Sequence, residues 1–566
     1  MIDTSKKFCS IFFDVLAQKG VKNMVCSPGS RNVPLLIAAS SRPSIKKYFA
    51  VDERSAAFMA LGIAIVKQEP VALICTSGTA LLNYAPAVAE AYYQGIPLIV
   101  VSADRPVQWI DQDDSQTLRQ DDILEKFVKK SYSISDLEEN SLELQWYVNR
   151  IANDAVIQSC ESKPGPVHVN FHLGEPLGKK TERVPEEERT INIIEAEGII
   201  NREVIKNLAE ELSKSRVLFV AGFLQPDSRL QKAVGNFILN PNVVAMAETL
   251  SNLHLDYKDY SVDSVLTAYD SKELDRLAPD IVVSIGGALV SRKLKEYLRR
   301  NRNRIRHWNI GFNHTTSDPF MSLSLKIELE PSRFFKSINP VLKRIKCNPK
   351  VATFQKEWNR KKEEAAFLKN KFVAETPWSE LKAFNFILKN IPSNYNLFLS
   401  NGTAVRYSQI IPHRIPHAEY CNRGVSGIDG TLSTAIGSAM AFPGNTLLIT
   451  GDLSLTYDIG ALGMKNIPES FKIIVIDNQG GGIFRFIPST SCLEEREEYL
   501  CQSPLLPLKE LADGYGWKYY ECESEQTLKN IMHEFFSSHK KSILKISCNG
   551  ILSAEILGDY MKLKVK

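Results

Sequence analysis

The chain carries almost no excess charge: 69 Lys and Arg against 65 Asp and Glu leave a formal net charge of +4 over 566 residues. So even a balance argues against a surface dedicated to nucleic acid. No apolar run approaches the ~20 residues that a bilayer-spanning helix needs, and the opening Met1-Ile2-Asp3-Thr4-Ser5-Lys6-Lys7 lacks the apolar core of a signal peptide. The ten cysteines, from Cys9 to Cys548, contain no Cys-x-x-Cys pair. That spacing speaks against a zinc site or a disulfide frame and predicts buried thiols in a reducing compartment. There is no internal repeat and no low-complexity segment. The expectation is a soluble, cytoplasmic protein with neither a membrane nor a nucleic acid as partner.

What is present is strand and helix alternation, in a length that suits three or four domains. In the first region, strands are predicted at Val21 to Cys26, Tyr48 to Val51, Val71 to Cys75, Leu98 to Val101 and Val167 to Asn170. A charged stretch, Lys179 to Arg189, leads to a second set at Val217 to Ala221, Val243 to Met246, Ile281 to Ile285 and Trp308 to Ile310. A Lys- and Glu-rich stretch, Lys356 to Lys371, reads as a connecting helix. Strands resume at Leu397 to Ser400, Leu447 to Thr450, Ile473 to Ile476 and Ile543 to Ile546. The fold class predicted is α/β, with three doubly wound parallel-sheet domains over 1–180, 190–345 and 381–566 and a charged connection over 346–380.

Thr450-Gly451-Asp452-Leu453-Ser454 follows one of these strands, and Asp477-Asn478-Gln479-Gly480-Gly481-Gly482 begins 25 residues after Asp452, behind another. Adjacent parallel strands lie roughly 4.8 Å apart, so Asp452 and Asn478 are expected side by side at the carboxyl edge, where α/β sheets bind ligands. A crossover helix is expected between them. Mg²⁺ takes octahedral oxygen ligands and shares them with substrate phosphates. A carboxylate from Asp452, the amide oxygen of Asn478 and the backbone carbonyl at Gly480 suit it, and the glycines permit close backbone approach. The pair therefore reads as a metal-diphosphate clamp for Mg²⁺ or Mn²⁺.

This pair resembles the thiamine-diphosphate fingerprint of decarboxylases and transketolases, Gly-Asp-Gly followed at similar spacing by Asn; Leu453 replaces the third-position glycine, as in one branch of that family. The three-domain layout resembles the acetohydroxyacid synthase and pyruvate oxidase superfamily, which implies a pyrimidine-binding first domain, a middle α/β domain and a diphosphate-binding last domain. The first domain then needs a carboxylate that exchanges a proton with the aminopyrimidine ring. Glu53, in Val51-Asp52-Glu53-Arg54-Ser55-Ala56-Ala57-Phe58, is the catalytic candidate, although Asp52 and Glu53 equally suit the acidic first turn of a helix over Ala56 to Val66.

Further motifs narrow the resemblance. Cys26-Ser27-Pro28-Gly29-Ser30-Arg31-Asn32-Val33-Pro34-Leu35, Ser115-Gln116-Thr117-Leu118-Arg119-Gln120, Ser400-Asn401-Gly402-Thr403-Ala404-Val405-Arg406 and Cys421-Asn422-Arg423-Gly424-Val425-Ser426-Gly427-Ile428-Asp429-Gly430 occur in order across the chain. With Gly451-Asp452-Leu453-Ser454 they resemble the 2-succinyl-5-enolpyruvyl-6-hydroxy-3-cyclohexene-1-carboxylate synthase family of menaquinone biosynthesis. The resemblance implies a transferase that decarboxylates 2-oxoglutarate and adds the succinyl carbanion to isochorismate in a conjugate, Stetter-like step. It implies thiamine diphosphate held by Asn401, Gly402, Ile428, Leu453, Ser454 and Asn478, with Ile428 bending the cofactor and Ser454 capping a helix whose amino end receives the diphosphate. Both substrates carry carboxylates, which arginine recognises bidentately. The implied substrate residues are Ser30, Arg31, Arg105, Gln116, Arg292, Lys293, Arg406 and Arg423, with Ile483 and Phe484 as apolar lining; Arg119 serves structure equally well. Two positions depart from the pattern: Gly402 stands where serine is frequent, and Ser115 where asparagine is common. A homodimer or dimer of dimers with shared sites is implied. Two alternatives stay open: another 2-oxo-acid thiamine enzyme with flavin in the middle domain, where no Gly-x-Gly-x-x-Gly appears, and a silent paralogue, which usually loses the metal ligands or the glutamate.

Overall fold

The computed structural model describes residues 2–136, 141–184, 187–194, 198–255, 261–312, 316–413, 416–503 and 505–565. Three large parallel sheets dominate. The first has six strands in the order Lys46–Phe49, Asn23–Cys26, Val71–Cys75, Leu98–Asp104, Val167–His172 and Ser131–Ser135. The second has five, in the order Val243–Ala247, Val217–Ala221, Ile281–Ile285, Arg306–Ile310 and Leu323–Ile327. The third has six again: Ala418–Tyr420, Tyr395–Leu399, Asn445–Gly451, Lys472–Asp477, Ser542–Ser547 and Lys518–Cys522. The central strands are apolar and β-branched and are buried along their whole length, the state of a parallel sheet covered by helices on both faces.

The predicted strand runs all become strands, three of them, Val71–Cys75, Val217–Ala221 and Ile281–Ile285, with the predicted ends and the others with shifted ends. Val21 falls outside its strand, which begins at Asn23, and the run placed at Tyr48 to Val51 forms one residue pair earlier, at Lys46–Phe49. The charged stretch Lys179 to Arg189 is more than a connection, because Lys180–Glu182 pairs antiparallel with Ile2–Thr4; its positions 185 and 186 lie outside the described residues. The Lys- and Glu-rich connection is a helix, Phe354–Glu375. No long crossover helix follows Asp452: a six-residue helix, Asp452–Tyr457, and a 3₁₀ turn, Ile459–Gly463, fill that span. All ten cysteines are free thiols; most are buried, while Cys160 and Cys492 are exposed. Among the described residues, no helix is long and apolar enough to cross a membrane.

The chain gathers into two compact units, Met1–Glu195 with Asn422–Thr446 and Tyr457–Phe471, and Ala196–Cys421 with Leu447–Thr456 and Lys472–Lys566. The first holds the first sheet, the second the other two. In the first unit, helix Glu53–Lys67 crosses helix Thr431–Ala441 so closely that a Cβ at Gly62 would stand 1.9 Å from the Thr434 carbonyl oxygen, and one at Gly437 2.1 Å from that of Met59. The two glycines allow backbone to approach backbone.

Candidate active site

In the second unit, Asp452 and Asn478 stand at the carboxyl ends of neighbouring strands, Asn445–Gly451 and Lys472–Asp477. Asp452 is buried and its two oxygens accept hydrogen bonds from the Leu453 amide at 2.8 Å and the Gly480 amide at 2.8 Å. Burial lifts its carboxyl above the usual range, against the pull of those two amides. Gly480 turns the loop with φ +81°, and a Cβ there would stand 2.1 Å from the Gln502 carbonyl oxygen, so glycine is required. Asn478 donates from Nδ2 to Glu380 Oε1 at 2.8 Å. Its Oδ1 is buried and accepts nothing. Such an orphaned acceptor is costly in an interior and is the atom type a hard cation completes; with the Asp452 carboxylate and the carbonyl at Gly480, the donor set fits Mg²⁺ or Mn²⁺.

Two residues that the sequence did not single out support this loop. Glu380 is buried, and its carboxyl is raised to about 6 by burial, with Asn478 and Thr403 pulling it back and Asp452 raising it further. Arg485 donates to the carbonyls of Asn478 at 3.1 Å and Gln479 at 3.3 Å while pairing with Glu497 at 2.8 Å. Neither carries a local sequence signal; Glu380 lies 98 residues from Asn478.

Leu453 and the buried Ser454 follow Asp452 in the first turn of its helix, so Ser454 sits inside the helix rather than at its cap. Asn401 is buried and accepts from Cys421 Sγ at 3.5 Å. Gly402 has φ +96° with open space around its absent Cβ, so serine at this position would meet backbone strain but no clash.

A cavity of about 860 Å³ in the same unit is lined by Arg292, Lys293 and Arg406, together with Arg485, Phe486 and Ile487. Three of the predicted substrate cations therefore converge on one hollow. Arg292 and Lys293 open helix Arg292–Arg300, where the dipole disfavours cations; Glu296 offsets them at 2.7 and 3.2 Å. Ile483 and Phe484 lie half-buried on the short helix Gly482–Phe486 and do not line the cavity, whose apolar wall comes instead from the next residues, Phe486 and Ile487.

The first unit holds the other candidates. Glu53 is half-buried at the first position of helix Glu53–Lys67, while Asp52 caps it by accepting from the Ser55 amide at 3.3 Å. Arg54 donates to the Tyr457 carbonyl at 2.6 Å and Ser55 to Asp458 at 3.3 Å, fixing the helix start. Arg31, Arg105 and Gln116 gather beyond the carboxyl ends of the first sheet. Arg31 is buried, donates to the Leu173 carbonyl at 2.8 Å, and is lowered by burial and by neighbouring Arg105. Arg105 pairs with Asp114 at 3.3 Å, and Gln116, at φ +57°, donates to the Ser77 carbonyl at 3.1 Å. Ser30 precedes Arg31 on an exposed stretch of that loop, and Arg119 is exposed and paired with Asp111. Arg423 and Ile428 belong to a loop whose Gly424 and Val425 amides donate to Glu90 at 2.6 and 2.7 Å; both are half-buried. The loop leads through Gly430, where a Cβ would stand 2.0 Å from the Phe58 ring, into the helix that crosses Glu53–Lys67.

Carboxyl-edge loops on parallel sheets, with Asp452 beside an Asn478 whose Oδ1 is orphaned, suit an α/β enzyme that binds a cofactor there. Residues 6–124 match the thiamine pyrophosphate enzyme N-terminal binding domain and residues 402–546 the C-terminal binding domain, so the cofactor is thiamine diphosphate. Over 564 residues the chain is 41% identical to a 2-succinyl-5-enolpyruvyl-6-hydroxy-3-cyclohexene-1-carboxylate synthase of Porphyromonas gingivalis, covering 98% of this chain and 97% of that one. Proteins of the same name from Flavobacterium johnsoniae and Bacteroides thetaiotaomicron are 35% and 32% identical, over 97% and 96% of each chain. The chain belongs to the family of these synthases, which are transferases.

Proposed function

We propose that this protein decarboxylates 2-oxoglutarate and transfers the remaining succinyl unit to isochorismate by conjugate addition, giving 2-succinyl-5-enolpyruvyl-6-hydroxy-3-cyclohexene-1-carboxylate and CO₂ for menaquinone biosynthesis in the cytoplasm. The observation that carries the reading is the cavity where Arg292, Lys293 and Arg406 converge beside a clamp with an unfilled Asn478 Oδ1. Thiamine diphosphate supplies carbanion stabilisation when bound. Asp452, Asn478 Oδ1 and the Gly480 carbonyl hold Mg²⁺ or Mn²⁺, and Asn401, Gly402, Ile428, Leu453 and Ser454 seat the cofactor. Glu53 exchanges the proton with the pyrimidine ring. Arg406, Arg292 and Lys293 bind carboxylate in the cavity, and Ser30, Arg31, Arg105, Gln116 and Arg423 contact the substrates from their loops, with Ile483 and Phe484 excluding water. The division into a pyrimidine-binding domain over 1–180, a middle domain over 190–345, a connection over 346–380 and a diphosphate-binding domain over 381–566 belongs to the same reading. The test is an assay with both substrates, with and without thiamine diphosphate and Mg²⁺. Product should require all four, and a yellow protein that consumes 2-oxoglutarate but ignores isochorismate would assign it to another thiamine branch.

In this reading the protein is a homodimer or dimer of dimers, and Glu53 of one chain serves the clamp of its partner. A two-fold axis then builds two equivalent sites. Mixing inactive Glu53→Gln chains with inactive Asp452→Ala chains should restore activity, because each mixed dimer holds one site with both defects and one with neither. Continued silence after proven subunit exchange would show that each chain builds its own site.

A further inference from the structure

Glu380 is 2% exposed, and among the described residues it forms no ion pair, with Arg485 acting on it only through its longer-range field. A buried carboxylate is expensive, and this one stands near a second carboxylate, Asp452. It opens helix Glu380–Asn390, its amide donates to Ser553 Oγ at 3.1 Å, and its Oε1 accepts from Asn478 Nδ2 at 2.8 Å. A carboxylate can only accept, so Asn478 can offer it only the NH₂ end of its amide. Oδ1 is thereby turned the other way, and it is the buried oxygen that no donor reaches. The third glycine of the loop makes room for this contact: a Cβ at Gly482 would stand 2.4 Å from Asn478 Nδ2 and 3.4 Å from Glu380 Oε1. Arg485 meanwhile occupies the backbone carbonyls of Asn478 and Gln479, which leaves the side-chain oxygen as the group Asn478 can offer a ligand.

We propose that Glu380 is a positioning residue for the metal site: it fixes the Asn478 amide with Oδ1 toward the cation and adds a second buried negative charge beside it. The inference rests on the reading of Asp452 and Asn478 as metal ligands. It makes a demand that a plain packing role does not: stability without metal and affinity for metal should move apart when Glu380 changes. A glutamine at this position keeps the volume but presents either an oxygen or an NH₂ group, so Asn478 loses its enforced orientation, and removing one of two neighbouring buried carboxylates relieves their repulsion.

The experiment measures Mn²⁺ binding to the full-length protein with thiamine diphosphate by electron paramagnetic resonance, together with the melting temperature of the metal-free protein. Glu380→Gln should weaken Mn²⁺ by about 10–100-fold, the usual effect of removing a ligand-orienting partner, with the metal-free melting temperature unchanged or raised. Gly482→Ala, whose backbone is not in the left-handed region, should weaken Mn²⁺ similarly by displacing Asn478 while leaving Glu380 in place, and serves if Glu380→Gln does not fold. Asn478→Ala separates the two levels of the argument. If it weakens Mn²⁺ while Glu380→Gln and Gly482→Ala bind like the wild type, Glu380 does not position the ligand. A fall in metal-free melting temperature that parallels the affinity loss would likewise reduce Glu380 to packing. If Asn478→Ala itself binds Mn²⁺ normally, the metal reading fails and this proposal with it.

Discussion

Replacing Glu53 by glutamine is expected to lower turnover by about 10²–10⁴-fold, the ordinary contribution of general acid-base catalysis, while thiamine diphosphate should still bind. Glutamine matches glutamate in size and can still hydrogen-bond, but it cannot give up and regain a proton. The local structure makes the comparison clean. The start of helix Glu53–Lys67 is held by neighbours of Glu53, with Asp52 capping the Ser55 amide, Arg54 on the Tyr457 carbonyl and Ser55 on Asp458. The Gly62 and Gly437 crossing with helix Thr431–Ala441 fixes the far side of the helix. None of these contacts involves the Glu53 carboxylate, so the helix should not shift. Calorimetric titration with the cofactor and steady-state turnover are the two measurements. Normal binding with a deep loss of turnover assigns the proton exchange to Glu53, whereas a loss below about tenfold would remove it from that role.

Strand runs buried on both faces were legible because only sustained apolar sequence tolerates that position: Val71–Cys75, Val217–Ala221 and Ile281–Ile285 form with the predicted ends. Within the three large sheets, the four strands that were not predicted are all edges: Ser131–Ser135, Leu323–Ile327, Ala418–Tyr420 and Lys518–Cys522. An edge strand of this kind can face solvent, so sequences such as Ser-Tyr-Ser-Ile-Ser and Leu-Ser-Leu-Lys-Ile interleave polar and apolar residues too briefly to separate from loops. The juxtaposition of Asp452 and Asn478 was legible for a related reason. Asp452 and Asn478 each follow a buried strand, and the two strands pair directly, so their meeting follows from topology. Glu380 and Arg485 reach the same loop from a helix start and a short helix, and no period or spacing encodes such contacts. Likewise the convergence of Arg292, Lys293 and Arg406 on one cavity depends on packing between two sheets of the same unit.

Asp452→Ala is expected to abolish metal-dependent binding of thiamine diphosphate and to leave the fold in place. The first half follows from ligand number: the protein offers Mg²⁺ few oxygens of its own, and the cofactor's phosphates complete the rest, so losing the only carboxylate of the proposed set removes most of the attraction. The second half needs the opposing terms weighed. Truncation leaves the Leu453 and Gly480 amides without their acceptor, and a buried unsatisfied donor costs about 1–3 kcal/mol. Against this, Asp452 is a buried carboxylate whose folded-state pKa lies above its ordinary value, with burial the first cause and Asp477 adding to it. A carboxyl raised in this way stabilises the fold only while protonated, and that contribution is lost as pH rises through the raised value, so at neutral pH the ionised group is a cost. Its removal offsets part of the lost hydrogen bonding. The metal-free melting temperature should therefore change little, while calorimetry with thiamine diphosphate and Mg²⁺ should show no metal-dependent binding. Unchanged affinity in this variant would place the metal elsewhere, and a collapsed melting temperature would mean that Asp452 holds the loop Asn478 to Gly480 in position more than it holds a cation.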